Sequence, residues 1–186
     1  MKIYTKQGDK GETRLFGGRK VLKSDLQVSA YGEVDELNSW IGAVRALLRS
    51  KEELFKKAYD IDEVLTRIQK DLFSIGNILA QSSEEEIAKE GDKVINVGFI
   101  EDTIDSYSAK LSSLRSFILP GGSLLSSYFH ICRTVCRRAE RAVVRLNQER
   151  EVSKEVLAYI NRLSDLFFIF ARYINSVLGI AETKWP

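Results

Sequence analysis

Apolar residues recur along most of the chain at alternating spacings of three and four, the period of an α-helix that packs one face against other helices. Five segments carry this pattern. The first has Val34, Leu37, Ile41, Val44 and Leu48, and the second runs unbroken through Leu54, Ala58, Ile61, Leu65, Ile68, Leu72, Ile75 and Leu79. The third is shorter, with Ile100, Ile104, Tyr107, Leu111 and Leu114, and ends before Pro120-Gly121-Gly122. The fourth reads Leu125, Phe129, Cys132, Cys136, Ala139, Val143 and Leu146, and the fifth Val156, Ile160, Leu163, Phe167, Phe170, Ile174 and Val177. Ser123 and Ser153 stand where N-caps of the last two belong. Helices of about 27 residues would be roughly 40 Å long, and short connections between them make neighbours antiparallel. The pattern predicts an all-α fold, an antiparallel five-helix bundle of four long helices and one shorter.

The first 25 residues do not share it. Gly8, Gly11, Gly17 and Gly18 interrupt them, with Thr5, Lys6, Lys10 and Thr13 interleaved, so they read as an extended, loop-rich arm. The expected organisation is one domain, 1–186, with an arm over 1–25 and the bundle over 26–181. Ser82 to Lys93, which holds Glu84, Glu85 and Glu86, reads as a solvated loop.

Composition sharpens this in three ways. Only Pro120 and Pro186 occur as helix breakers. The 28 basic and 26 acidic side chains leave a formal +2, so the bulk charge asks for no polyanionic partner such as duplex DNA. Cys132 and Cys136, four apart on one helix face, give no disulfide framework and read as reduced thiols. No apolar run approaches the ~20 residues that span a bilayer, and the start has neither a signal-peptide h-region nor transit-peptide character. The expected location is the cytoplasm.

Candidate chemistry concentrates on the fourth segment. Arg133, Arg137 and Arg141 at i, i+4, i+8 form one stripe, with Arg138 beside it, and like charges at that spacing repel unless an anion offsets them. Arg133 and Arg137 each follow a seam residue by one position, so they border the core, where bidentate contacts to phosphate or carboxylate are strong. Glu140 can orient part of the stripe. The bland alternative is pairing with acidic residues of neighbouring helices, with Asp35 and Asp165 as the obvious mates. On the fifth segment Asn161 and Asp165 also need partners, from a ligand or from Arg133 and Arg137. In the arm, Thr5-Lys6-Gln7-Gly8-Asp9-Lys10-Gly11 could wrap an anion with its backbone N–H groups, although it is not a Walker A loop. The single histidine, His130, cannot supply a di-iron site, and a zinc site or a Ser-His-Asp hydrolase finds little support.

Tyr4 to Gly11, Phe117-Ile118-Leu119-Pro120-Gly121-Gly122, Cys136-Arg137-Arg138-Ala139-Glu140-Arg141 and Asn161-Arg162-Leu163-Ser164-Asp165, in this order, strongly resemble motifs of the ATP:cob(I)alamin adenosyltransferases of the propanediol-utilisation (PduO) type. Gly32 to Asn38 and the terminal Lys184-Trp185-Pro186 agree. The resemblance implies a homotrimer of helical bundles with active sites at the subunit interfaces. ATP with Mg²⁺ and a corrinoid would be bound together, and adenosylcobalamin and triphosphate would be the products. Thr5, Lys6, Gln7, Gly8, Thr13, Lys23, Arg137, Arg138, Glu140, Arg141 and Asn161 match the family's ATP positions. Arg133 and Asp165 match further active-site positions, Asp35 would pair with Arg137 across the interface, and Phe117 sits where an aromatic residue displaces the lower ligand of the corrinoid. Metal ligands are not assigned. The implied partners are a cob(II)alamin reductase and an adenosylcobalamin-dependent enzyme. A nucleotide- or polyphosphate-sensing bundle without catalysis, and a purely structural bundle, are the rival readings.

Overall fold

The computed structural model describes residues 2–4, 6–82 and 95–185. Thr5 and all but the first residue of the segment read as a solvated loop lie outside the described residues. Among the described residues six helices form: α1 (Leu26–Arg49), α2 (Glu52–Lys57), α3 (Tyr59–Leu79), α4 (Val97–Ser108), α5 (Leu124–Asn147) and α6 (Lys154–Val177). A two-stranded antiparallel sheet, β1 (Glu12–Arg14) and β2 (Lys20–Leu22), precedes them.

The side-chain contacts set the direction of each helix. Glu33 and Glu36 meet Arg138 while Trp40 meets Tyr128, so α1 and α5 are antiparallel. Asn38 meets Gln69 and Arg45 meets Asp62, making α1 and α3 antiparallel. Glu140 with Asn161 and Phe129 with Phe170 do the same for α5 and α6. These four helices close around a core in which Phe129, Phe167, Phe170 and Tyr159 are fully buried. The Tyr159 hydroxyl is not orphaned, since it donates to Asp71 Oδ2 at 2.8 Å. The shorter α4 lies outside this ring. Its Tyr107 meets Asp60 and its Phe99 meets Arg67, so it is antiparallel to α3 as expected of chain neighbours, while Glu101 with Arg162 and Tyr107 with Phe170 make it parallel to α6.

Ser123 and Ser153 cap α5 and α6 as expected, each hydroxyl accepting from the N–H three residues on. The second segment, expected as one helix, breaks at Ala58, whose backbone leaves the helical region at φ −132° and ψ 27°. The apolar phase runs through the break, because Leu54, Ala58 and Ile61 are all buried. What marks it is charge. Lys56 and Lys57 close α2 and Asp60 and Asp62 open α3, each sign at the helix end whose dipole it complements. The third segment stops at Ser108, short of Leu111 and Leu114, because the chain beyond it hydrogen-bonds to α6 and to the C-terminal residues.

The arm is more ordered than the expected loop. Gly17 and Gly18 both take φ near +90°, which reverses the chain between β1 and β2 without a Cβ clash. Phe16 then pairs with the end of α3, its N–H donating to Ala80 and its carbonyl accepting from Ser82. Gln27 at the start of α1 reaches the carbonyls of Leu79 and Gln81 and accepts from Arg19 and Arg150. The hairpin is therefore fixed to the end of the bundle where α1 begins and α3 and α5 finish.

Asp62 is the buried anion of the opposite end, receiving Arg45 Nε at 3.0 Å and Arg49 Nη2 at 2.7 Å. Burial raises its carboxyl pKa, but the bonds and charges of the two arginines outweigh this and hold it below the ordinary 3.8. A depressed carboxylate contributes stability above its unfolded pKa and loses it as pH falls through the folded value. Asp62→Asn is expected to cost about 1–3 kcal/mol at pH 7 and to flatten the loss of stability below about pH 4, both read by urea titration across pH.

Candidate active site

The seam between α5 and α6 is lined on α5 by small buried residues, Cys132, Cys136 and Ala139. They let the two backbones approach closely enough for the Cys136 thiol to donate to the Ile160 carbonyl at 3.2 Å. Side chains one position past the seam then emerge at its rim, which is where Arg133 and Arg137 sit, with Asp165 of α6 beside them. Together with Phe117, Pro120 and Phe168 they line a cleft of about 430 Å³ between α5, α6 and the segment before α5.

The electrostatics of the cleft are unbalanced toward the cation. Arg133 Nε is buried and has no hydrogen-bond partner among the described residues; burial and the neighbouring Arg137 both work against its charge. His130, one turn earlier, has its Nδ1 equally unpartnered. Its pKa is pushed down to about 4 by burial and then by Arg133, so it is a neutral imidazole at physiological pH. No ion pair joins Arg133, Arg137 or Arg141 to Asp35 or Asp165 among the described residues. The pairing expected as the bland alternative goes instead through Arg138, which bonds Glu33 and Glu36 of α1. Asn161 takes Glu140 as acceptor at 2.8 Å and receives Arg162 at 2.7 Å, so its partners are neither Arg133 nor Arg137. Arg141 is exposed one turn beyond Arg137, toward the end of the bundle that carries the hairpin. Asp35 is exposed on α1.

A second cleft, of about 820 Å³, is built by the arm alone and includes Lys6, Gln7, Gly8, Thr13 and Lys23 in its lining. Lys6 adopts the left-handed conformation at φ 60° and Gly11 at φ 79°, curling the loop so that Gly11 N–H donates to the Gly8 carbonyl. The Lys23 N–H donates to Gly11 at 2.8 Å, and a Cβ placed on Gly8 would lie 3.1 Å from Lys23 Nζ. The glycine thus leaves room for the ammonium group against the loop backbone, which joins Lys23 to the motif around Lys6. Thr13 is paired with Val21 and lies beside the phenol of Tyr31. Lys10, Arg14 and Lys20 add charge to a lining that carries only Asp9 and Glu12 as carboxylates. Among these, Lys20 and Glu12 are paired.

Sequence reasoning passed over Phe168 and His130 as lining residues of the helical cleft. Phe168 was within reach, since it follows the seam residue Phe167 by one position, the rule that found Arg133 and Arg137.

The site residues thus share a helical bundle with a cationic rim beside a cleft walled by Phe117, Pro120 and Phe168, and a lysine-lined arm at one end. Comparison with known proteins identifies the family. The cobalamin adenosyltransferase family model matches residues 3–174. The chain is 46% identical to the corrinoid adenosyltransferase of Bacillus subtilis (strain 168), covering 100% of this chain and 92% of that one. It is 41% identical to that of Homo sapiens, covering 97% and 72%. A phenylalanine-to-alanine variant of a PduO-type ATP:corrinoid adenosyltransferase from Lactobacillus reuteri, solved with cobalamin and ATP, superimposes with a TM-score of 0.88 at 40% identity over 99% of each chain. An arginine-to-lysine variant from the same organism, solved with ATP, gives 0.88 at 39% over 99% and 100%. The chain belongs to the cobalamin adenosyltransferase family, and it is a transferase.

Burial pushes the Cys132 thiol up to about 12 and raises Cys136 as well, the latter helped by Glu140. Neither is expected to react with a thiol reagent at pH 8 in the folded protein, and both should react on unfolding.

Proposed function

We propose that the enzyme transfers the 5′-deoxyadenosyl group of ATP to the cobalt of cob(I)alamin, releasing triphosphate and forming adenosylcobalamin. The observation that carries the reading is the meeting of Phe117, Arg133 and Arg137 in one cleft of a chain belonging to this family. The Co(I) electron pair forms the bond to C5′, and the C5′–O bond breaks with its pair leaving on triphosphate. Negative charge grows on the leaving group, so fixed cations aimed at it lower the barrier. No proton moves at the reacting carbon, and no general base is called for.

In this reading Lys6, Gln7, Gly8, Thr13 and Lys23 of the arm, with Thr5, wrap the phosphates. Arg137, Arg141, Glu140 and Asn161 complete the nucleotide site from α5 and α6. Arg138 serves it through the register of α5 on α1, since its guanidinium is taken by Glu33 and Glu36. Arm and stripe are separate clefts within one chain. Their union in a homotrimer, where the arm of one subunit reaches the helices of the next and Asp35 meets Arg137 across the interface, would supply the missing neighbour. Mg²⁺ would enter on the phosphates, as that ion prefers. No cluster of three His, Cys, Asp or Glu side chains suited to a metal occurs among the described residues, and Asp9 and Glu12 are the carboxylates beside the arm cleft. Phe117 would lie against the lower face of the corrinoid, excluding the axial base and making Co(I) easier to reach. A cytoplasmic setting, a cob(II)alamin reductase upstream and an adenosylcobalamin-dependent enzyme downstream fit this chemistry. No described helix is long and apolar enough to cross a membrane.

Anaerobic incubation with ATP and chemically reduced cobalamin is expected to give adenosylcobalamin and intact triphosphate in equal amounts. ATP binding without any corrinoid product would favour the sensing bundle instead. Lys23→Ala should raise KM for ATP about tenfold or more, the worth of a charge-assisted contact, with little change in melting temperature.

A further inference from the structure

Phe117 presents a structural difficulty. Its side chain is 82% exposed, so packing does not hold the ring that the proposed reaction needs in place. What holds the segment that carries it is backbone. The Phe117 carbonyl accepts from the Trp185 N–H at 2.8 Å, the Leu119 N–H donates to the Thr183 carbonyl at 2.8 Å, and Ile118 and Lys184 form an antiparallel bridge.

One buried side chain fastens this pairing to the bundle. Arg172 of α6, only 7% exposed, donates Nε to Glu182 Oε1 at 2.6 Å and Nη2 to the Ser112 carbonyl at 2.9 Å. It therefore grips the tail and the start of the Phe117 segment together. Three residues on along α6, Asn175 grips the other end. Its Nδ2 donates to the Gly121 carbonyl at 3.0 Å and its Oδ1 accepts from the Ser123 N–H at 2.9 Å. Gly122, at φ +98°, lies so close that a Cβ there would overlap the Asn175 amide. The same helix supplies Phe168 to the wall of the cleft. The segment, the tail and the cleft wall thus share one rigid support.

We propose that the C-terminal tail, Ala181 to Trp185, clasped by Arg172 through Glu182, is the positioning element for Phe117 and determines whether the enzyme can use corrinoids that carry a coordinating lower base. The inference rests on the reading of Phe117 given above. A ring that must displace a cobalt ligand spends binding energy on that displacement, and a ring already fixed spends none on being ordered. A corrinoid with no lower base asks nothing of Phe117, so loosening the tail leaves its reaction alone.

The test compares cobalamin with cobinamide, which lacks the lower base, as acceptors for three variants. Trp185→Pro removes the N–H that Phe117 accepts from, Glu182→Gln weakens the clasp, and Phe117→Ala removes the ring. Trp185→Pro and Glu182→Gln are expected to lower kcat with cobalamin at least about tenfold and to change cobinamide turnover less than about twofold. Trp185→Ala, which keeps the N–H, should recover cobalamin turnover. With cob(II)alamin and ATP, the nitrogen coupling of the bound base in the electron paramagnetic resonance spectrum should persist in the two tail variants and vanish in the unaltered protein. Equal slowing of both corrinoids, or undiminished cobalamin turnover in both variants, overturns the proposal. If Phe117→Ala also treats the two corrinoids alike, the reading of Phe117 fails and the tail proposal with it. If Phe117→Ala discriminates and the tail variants do not, only the tail proposal fails.

Discussion

The close packing of α5 on α6 is the constraint from which the site follows. Cys132, Cys136 and Ala139 are small enough to bring the backbones into contact, and the Cys136 thiol spends its one proton on the Ile160 carbonyl across the seam. With that seam fixed, the residue after each seam position has nowhere to go but the rim. Arg133 and Arg137 are placed there by the burial of their neighbours, and among the described residues neither makes an ion pair. Packing thereby holds Arg133 partly buried and without a hydrogen-bond partner for its Nε among the described residues, with the exposed Arg137 one turn on.

Several carboxylates of the bundle are committed to pairs away from Arg133 and Arg137. Glu33 and Glu36 are spent on Arg138, Glu140 on Asn161, and Asp62 on Arg45 and Arg49. Each of these pairs ties two elements of the bundle together. The division puts paired charge in the service of register and leaves Arg133 and Arg137 at the cleft. The arm follows a similar rule, in which Gly8 contributes the absence of a side chain so that Lys23 lies against the loop.

Much of this was legible in the sequence because core packing writes a period. The seams of α1, α3, α5 and α6 and the caps at Ser123 and Ser153 came directly from residue spacing, as did the rim position of the arginines. The break at Ala58 did not, since the apolar phase passes through it. Only the charge change from Lys56 and Lys57 to Asp60 and Asp62 records it. The hairpin was within reach through Gly17-Gly18, whose paired positive φ angles are a turn signal. The partners of the charged rim were not, because which of several carboxylates an arginine meets depends on helix directions and rotations that no local pattern states. Tertiary hydrogen bonds from Arg172 and the tail likewise ended α4 before its apolar spacing did.

In the proposed reaction the rim arginines act on charge that develops as triphosphate leaves, more than on ATP as it binds. Steady-state kinetics of Arg137→Ala separate the two. A fall in kcat of about 10²–10³ with KM for ATP nearly unchanged is expected. A rise in KM with kcat preserved would contradict it, making the stripe a binding surface for the ground state alone.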